Sequence, residues 1–361
     1  YILYLLGIKW YRYNVEYSDM ASRIKTDAEK HIVCPFCSLH CDDILSNSDG
    51  KRYSISSETS KVSDANKVCL KKIESFNINA KSTLTPVIKN KKTSLSYALK
   101  YTKQILKKQK DAIIINHGID VSGIRSMLNF SSSYNCAIDH INSKFLYQNI
   151  GIVQRTGYMA TSLTETKNRG DVIMVFGNHI FNKTPRLIEK VLTPSNSLCT
   201  SAKNKKIILI GEFPDKLLRE LGKNHNILYI KIKMDSIPDL LNLLLDVDDI
   251  KISNISKALT AKIKSIISKS KYLVATWSAS DFVHSKNPDK IIQSISQFIL
   301  DRNKTSRAAC MPISGSLGDT TSAQTLTWLT GFPSRIKYKN GSFVHDRNIY
   351  NSEIIINKKS T

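Results

Sequence analysis

Apolar residues fall into two rhythms along this chain. Short, near-continuous Ile/Val/Leu runs of strand length occur at 112–115, 172–176, 206–210, 227–232 and 272–275. Between them lie amphipathic stretches of helix length at 94–109, 123–130, 184–191, 237–245, 255–268 and 288–301. Strands without apolar–polar alternation are buried on both faces, as in parallel sheets covered by helices. The pattern predicts an α/β protein with two doubly wound parallel-sheet units. Residues 31–80 are different, being Ser- and Asp-rich with alternation such as Tyr53-Ser54-Ile55, and predict a small β-containing module. Residues 302–335 mix Gly, Thr, Gln and Trp and read as a mostly irregular stretch. Such a stretch is either a functional loop or a return loop anchored by Trp328.

Ligands bind at the loops that follow the strands of doubly wound sheets. Here those loops read Asn116-His117-Gly118, Gly177-Asn178-His179, Gly211-Glu212 and Thr276-Trp277-Ser278. None is a full G-x-G-x-x-G, and a single Gly after a strand also serves ordinary connections. The sequence holds no P-loop, no H-E-x-x-H and no G-x-S-x-G, and no internal repeat.

The apolar run from Tyr1 to Ile8 ends at Lys9. It is far short of the roughly 20 residues that span a bilayer, and it lacks the basic leader of a signal peptide. Residues 1–19 read as a non-native extension before Met20, and no later segment is apolar enough to span a membrane. A cytoplasmic protein with no membrane partner is the expectation.

Charge changes the picture more. Lys plus Arg number 53 against 30 acidic residues, a formal +23. That excess favours an anionic partner, yet the lysines are scattered rather than gathered into a stripe, and no nucleic-acid-binding signature is present. The seven cysteines are an odd number without a secretory leader, which argues against a disulfide framework. Three of them form Cys34-Pro35-Phe36-Cys37-Ser38-Leu39-His40-Cys41, and Cys69 follows after 27 residues. Four thiolates in a three-plus-one spacing suit a 4Fe–4S cluster, with zinc as the alternative and a metal-free motif as the third reading.

The segment Cys34 to Ile44 resembles the amino-terminal part of the B subunit of formylmethanofuran dehydrogenase, a family of the molybdopterin oxidoreductases. Ala137-Ile138-Asp139, Gly157-Tyr158, Thr164-Glu165, Lys167 to Asp171, Gly177-Asn178 and Pro185-Arg186 follow in the family's order. Trp328-Leu329-Thr330-Gly331-Phe332-Pro333 and Tyr350 are similar, more narrowly, to the B subunit of the bacterial formyltransferase/hydrolase complex. The resemblance covers about residues 31–350.

That resemblance implies a cysteine-motif module at 20–80, an outer α/β domain at 81–135 plus 266–361, and an inserted α/β domain at 136–265. It implies Cys34, Cys37, Cys41 and Cys69 as metal ligands, and places Arg169, Asn178, Arg186 and Arg307 at the ancestral cofactor cleft. The redox members carry a Cys or selenocysteine ligand to molybdenum or tungsten shortly after the Ile-Asp segment. Here that position falls near Phe145, which cannot ligate a metal. The expected function is therefore a non-redox subunit of a formyltransferase/hydrolase complex in tetrahydromethanopterin-linked one-carbon metabolism. Its partners would be the other subunits and a methanofuran-type carrier with an anionic oligoglutamyl tail. The alternatives are a genuine molybdenum or tungsten dehydrogenase subunit and a zinc-containing nucleic-acid-binding protein.

Overall fold

The computed structural model describes residues 30–34, 36–48, 53–57, 85–108, 112–194, 196–222, 226–247, 252, 255–313 and 318–360. Cys69, the extension at 1–19 and most of the 20–80 module lie outside the described residues.

The largest sheet, here sheet D, contains β8 (Val172–Phe176), β9 (Lys206–Ile210), β10 (Ile227–Ile230), β11 (Tyr272–Ser278) and β12 (Arg307–Ile313). Their order is β10-β9-β8-β11-β12, with every neighbouring pair parallel. All residues of β8 and β11 are buried, which is why their sequences show no alternation. Their side chains still divide with period two. Met174, Phe176, Ile208, Ile210, Leu273 and Trp277 face one apolar layer. Ile173, Val175, Ile207, Leu209 and Val274 face the other. The first layer is closed by α7 (Ile237–Leu244), α8 (Lys257–Ser268) and α9 (Pro288–Arg302). The second is closed in part by α5 (His179–Lys183) and α6 (Asp215–Gly222).

A second sheet, sheet C, contains β6 (Ile113–Asn116), β7 (Ala137–His140), β13 (Ile336–Lys339) and β14 (Ser342–His345), in the order β14-β13-β7-β6. Strands β6 and β7 are parallel, and β13 runs antiparallel to both β7 and β14. Ile124, Met127 and Leu128 of α2 (Val121–Tyr134) pack on Ile138 and Ile336, together with Leu326 of α10 (Asp319–Thr330). The Asp120 side chain starts α2 by accepting from Gly123 N–H at 2.7 Å. Helix α3 (Ser143–Thr156) joins the two sheets, since Trp277 Nε1 of β11 donates to Asn149 Oδ1 at 3.1 Å.

Sheet membership places β7 beside β6, and places β11 and β12 on the same side of β8. In chain order, sheet D therefore interrupts sheet C between β7 and β13. The strand at 272 is the direct neighbour of β8.

The 302–335 region is more regular than expected, for it contains β12 and α10. The small residues Ala308, Ala309 and Cys310 and the proline at 312 hide a strand from the pattern. Pro312 is tolerated because β12 is an edge strand, where a missing N–H goes unused. The helix expected at 184–191 is instead α5 followed by a π-turn, Ile188–Leu192. Pro185 removes the N–H that would continue α5.

At the amino end β1 (Lys30–Ile32), β2 (Ile44–Ser48) and β3 (Tyr53–Ser57) form an antiparallel sheet. A separate hairpin, β4 (Val87–Ile88) with β5 (Lys91–Lys92), precedes α1 (Leu95–Lys108), none of whose residues is buried.

Candidate functional site

In sheet D the chain builds outward from β8 through β9 to β10, then returns to β11 on the other side of β8. The strand order reverses between β8 and β11, and the carboxyl ends there form the crevice where such sheets bind ligands. Gly177 follows β8 with φ +85°. A Cβ on it would stand 2.3 Å from Asp281 Cγ, so only glycine fits. Asp281 accepts from His179 N–H at 2.8 Å and from Ser278 N–H at 3.3 Å. Ser278 and Asp281 form a reciprocal capping box at the end of β11. Burial pushes the Asp281 carboxyl up to about 6, against the opposing pull of these N–H groups. Asn178 spans the next gap, its Nδ2 donating to Glu212 O at 2.6 Å. Gly211 has φ +125°, and a Cβ there would meet Met234 Cε at 2.4 Å.

Arg169 and Arg307 meet at the opposite end of sheet D. Both approach Glu165, at 3.8 Å and 3.9 Å, and Arg307 lies over the Tyr272 ring. Glu165 belongs to α4 (Leu163–Arg169), capped by Ser162. Tyr272 and Arg307 begin β11 and β12, so this cluster faces the amino ends of the strands. Asn178 faces the carboxyl ends. Arg186 lies with neither group. Buried to 4% exposure, it donates to both oxygens of Asp43, at 2.8 and 2.5 Å, and to Glu189. Of the four residues expected at one cleft, the structure brings together Arg169 and Arg307 only. The reason is topological: residues just before a parallel strand and just after it lie at opposite edges of the sheet.

The cysteine motif forms a closed hairpin. Cys34 N–H donates to Cys41 O at 2.9 Å, and His40, with φ +46°, donates its N–H to Cys37 O at 3.3 Å. Cys34 and Cys41 are buried with Ile44 against Phe36 and Leu39, while Cys37 is half-buried. Burial pushes the Cys34 thiol up. Among the described residues no three His, Cys, Asp or Glu side chains gather as a metal-holding group. Cys69, the fourth of the expected ligands, lies outside the described residues.

Phe145, half-buried, sits in the first turn of α3, close after β7. The nearest hydroxyl in that turn, Ser143 Oγ, accepts from Arg335 Nε and Nη2 at 3.2 and 3.1 Å. Asp139, fully buried, accepts from Ser334 Oγ, His140 N–H, and both N–H and Oγ of Ser352. It ties β7 to the chain's last segments. Asp281 and Asp139 carry more of these junctions than the four polar residues singled out from the sequence. The Ser278-x-x-Asp281 spacing is the signal that finds the first of them.

A doubly wound parallel sheet nested in chain order within a second sheet, preceded by a cysteine hairpin, makes this an α/β protein. In sequence the chain is 22% identical over 339 residues to the B subunit of the tungsten-containing formylmethanofuran dehydrogenase 2 of Methanococcus maripaludis, covering 86% of this chain and 72% of the relative. In structure it is similar to a chain of the formyltransferase/hydrolase complex from Methylorubrum extorquens, solved in complex with methylofuran, with a TM-score of 0.62 and 17% identity. That match covers 75% of this chain and 72% of the other. No family model matches the chain. These similarities agree with the resemblance to the formylmethanofuran dehydrogenase B subunits read from the ordered segments. Among the described residues no helix is long and apolar enough to cross a membrane.

Proposed function

We propose that this chain is a non-redox subunit of a formyltransferase/hydrolase complex in tetrahydromethanopterin-linked one-carbon metabolism. It holds the catalytic subunits and a methanofuran-type formyl carrier, and its site in the cytoplasm follows from that pathway. The observation that carries the reading is the turn after β7. There the resemblance puts the metal-ligand position of redox members near Phe145, and the neighbouring Ser143 hydroxyl is engaged by Arg335. A side chain without a donor atom cannot hold molybdenum or tungsten. Similarity both to a dehydrogenase B subunit and to a formyltransferase/hydrolase chain supports the rest. The net charge of +23 suits an anionic oligoglutamyl carrier arm.

In this role the chain's own residues do structural work. Asp139 fixes the turn that carries Phe145, Asp281 closes the crevice between β8 and β11, and Arg186 holds the cysteine hairpin against the larger sheet. Cys34, Cys37, Cys41 and Cys69 are proposed as a four-thiolate set whose metal would staple that hairpin, since metal-binding free energy becomes folding free energy. Elemental analysis of the complex, purified anaerobically, tests the reading. Molybdenum and tungsten below a tenth of an atom per chain are expected, and a stoichiometric amount of either overturns it in favour of a dehydrogenase. Iron near four atoms per chain supports a cluster, one zinc replaces it with zinc, and neither removes the four-cysteine proposal.

A further inference from the structure

Helix α3 carries a glycine in its interior that packing does not require. A glycine inside a helix costs stability relative to alanine, and the usual reasons to keep one are a positive φ or a close approach. Gly151 has neither. The nearest atoms to a Cβ placed on it would be Arg347 Nη1 at 3.6 Å, Arg155 Nη1 at 3.8 Å and Arg347 Nη2 at 3.8 Å, all ordinary contact distances. Alanine would fit. What the missing methyl leaves is bare helix backbone beneath two guanidinium groups.

The fold alone brings these groups together. Arg347 comes from the segment after β14, and Arg155 from the last turn of α3. Arg347 Nη2 donates to Tyr147 O at 3.0 Å, and its guanidinium lies over the Tyr147 ring. Arg155 Nη2 stands 3.6 Å from Asp289, in the first turn of α9. Each head is thus anchored through Nη2. Each Nη1 has no hydrogen-bond partner among the described residues, and both lie within 4 Å of the one point above Gly151. Both arginines are exposed, Arg155 to 51%, so a ligand reaches the heads directly from solvent.

The charges choose the occupant. Two like charges this close raise the local positive potential. The neighbouring Arg335 is matched by Asp139 and Arg155 by Asp289, but among the described residues Arg347 has no such match. An oxoanion between the heads supplies the missing charge. A carboxylate has two oxygens and is satisfied by one guanidinium fork. A phosphate monoester carries close to two charges at neutral pH and three acceptor oxygens. It can take a donor from each of two separate forks, and so fits the pair better.

We propose that Arg155 and Arg347, above the bare backbone of Gly151, form a binding site for a dianionic phosphate group, free or as a monoester. The inference stands on the geometry of this surface and does not depend on the function proposed above.

The test is a titration of the full-length chain with inorganic phosphate and with methyl phosphate, followed by 31P resonance in 0.15 M sodium chloride at pH 7.5. Saturable binding of either is expected at about 1 mM, a range set by the few atoms of the probe. The tighter of the two names the source as free ion or ester. Acetate and dimethyl phosphate, both singly charged, should compete at least tenfold more weakly. Arg155→Met and Arg347→Met should each weaken phosphate binding at least tenfold. Lys103→Met, which removes the same charge from α1, should leave it within twofold. Gly151→Ala separates the site from the fold: the methyl should weaken binding at least tenfold while the thermal midpoint holds or rises, as expected of alanine in a helix. Absence of saturation, equal loss with Lys103→Met, or unchanged binding with Gly151→Ala overturns the proposal, because the ion would then be answering the chain's general positive charge. Dimethyl phosphate or acetate binding as tightly as phosphate overturns it too.

Discussion

Arg186 and Asp43 lie 143 positions apart in the chain and meet as a two-pronged ion pair, at 2.8 and 2.5 Å. Their side chains are 4% and 11% exposed. Lys190 adds a second cation, its Nζ 2.8 Å from Asp43. This cluster joins the cysteine hairpin to the segment that packs on one face of the larger sheet. Burial, the largest single influence, raises the Asp43 carboxyl, but the hydrogen bonds and charges of the two basic residues together outweigh it and hold the group well below the usual carboxylate range.

Removing one partner should cost more than removing both. Arg186→Ala leaves the Asp43 carboxylate buried with less compensation, a loss of about 3–5 kcal/mol for such pairs. Arg186→Met with Asp43→Leu should recover part of that loss. Because the Asp43 pKa is depressed in the folded state, its contribution is present above about pH 4, the unfolded value, and fades as pH falls below it. Denaturant unfolding of the four proteins of the cycle at pH 7 and pH 3 measures this. Equal losses for single and double substitutions would mean that the contact is packing alone.

Gly177 and Gly157 make a matched pair for separating strain from space. Both have positive φ, +85° and +66°. A Cβ on Gly177 would collide with Asp281, while a Cβ on Gly157 meets nothing within 4 Å. Gly157→Ala should cost about 1–3 kcal/mol, the penalty of a backbone conformation (φ +66°, ψ 172°) open essentially to glycine alone. Gly177→Ala must also displace the buried carboxylate and should cost several kcal/mol, enough to impair folding of a marginally stable domain. Comparing their thermal midpoints decides the matter, and similar losses would show that Asp281 moves aside freely.

The periodicity exposed sheet D because its central strands are buried on both faces, and β8, β9, β10 and β11 stand where the Ile/Val runs placed them. The strands it missed explain themselves. β7 is Ala137-Ile138-Asp139-His140, with two polar residues buried by specific partners rather than by apolar packing. β12 is rich in small residues and carries a proline at the sheet edge. At the candidate site, local signals were legible: glycines after strands, and a Ser-x-x-Asp cap. Which edge of a sheet a residue reaches was not legible, because that depends on pairing between strands far apart in sequence. Arg169 and Asn178 are nine positions apart, yet β8 separates them by its whole length.

The charge excess yields a prediction about the carrier. If the chain's +23 attracts an anionic oligoglutamyl arm, the attraction is long-range and screened. Association of the complex with such a carrier should slow at least tenfold between 20 and 300 mM salt, while dissociation changes little. Stopped-flow fluorescence with a labelled hexaglutamyl compound checks this. Salt-independent association would assign the charge no part in capturing the carrier.

Asp281 gives the sharpest pH dependence. Its folded-state pKa, raised to about 6 by burial, exceeds the unfolded value near 4. For a carboxylic acid this sign means that protonation favours the folded form. The contribution is complete below about pH 4 and is lost as pH rises through 6. A two-unit difference corresponds to about 2–3 kcal/mol. Asp281→Asn cannot ionise, so the stability of wild type relative to the variant should fall by about 2 kcal/mol from pH 4 to pH 8. In the same range, Gly177 and Ser278 amide resonances should titrate with a midpoint near 6, because the ionising group contacts both loops. The crevice between β8 and β11 would then be held by a neutral acid in mildly acidic solution and by a buried anion at neutral pH. A midpoint near 4 with a flat stability difference would show that the N–H groups of His179 and Ser278 outweigh burial, and that Asp281 is an ordinary capping carboxylate.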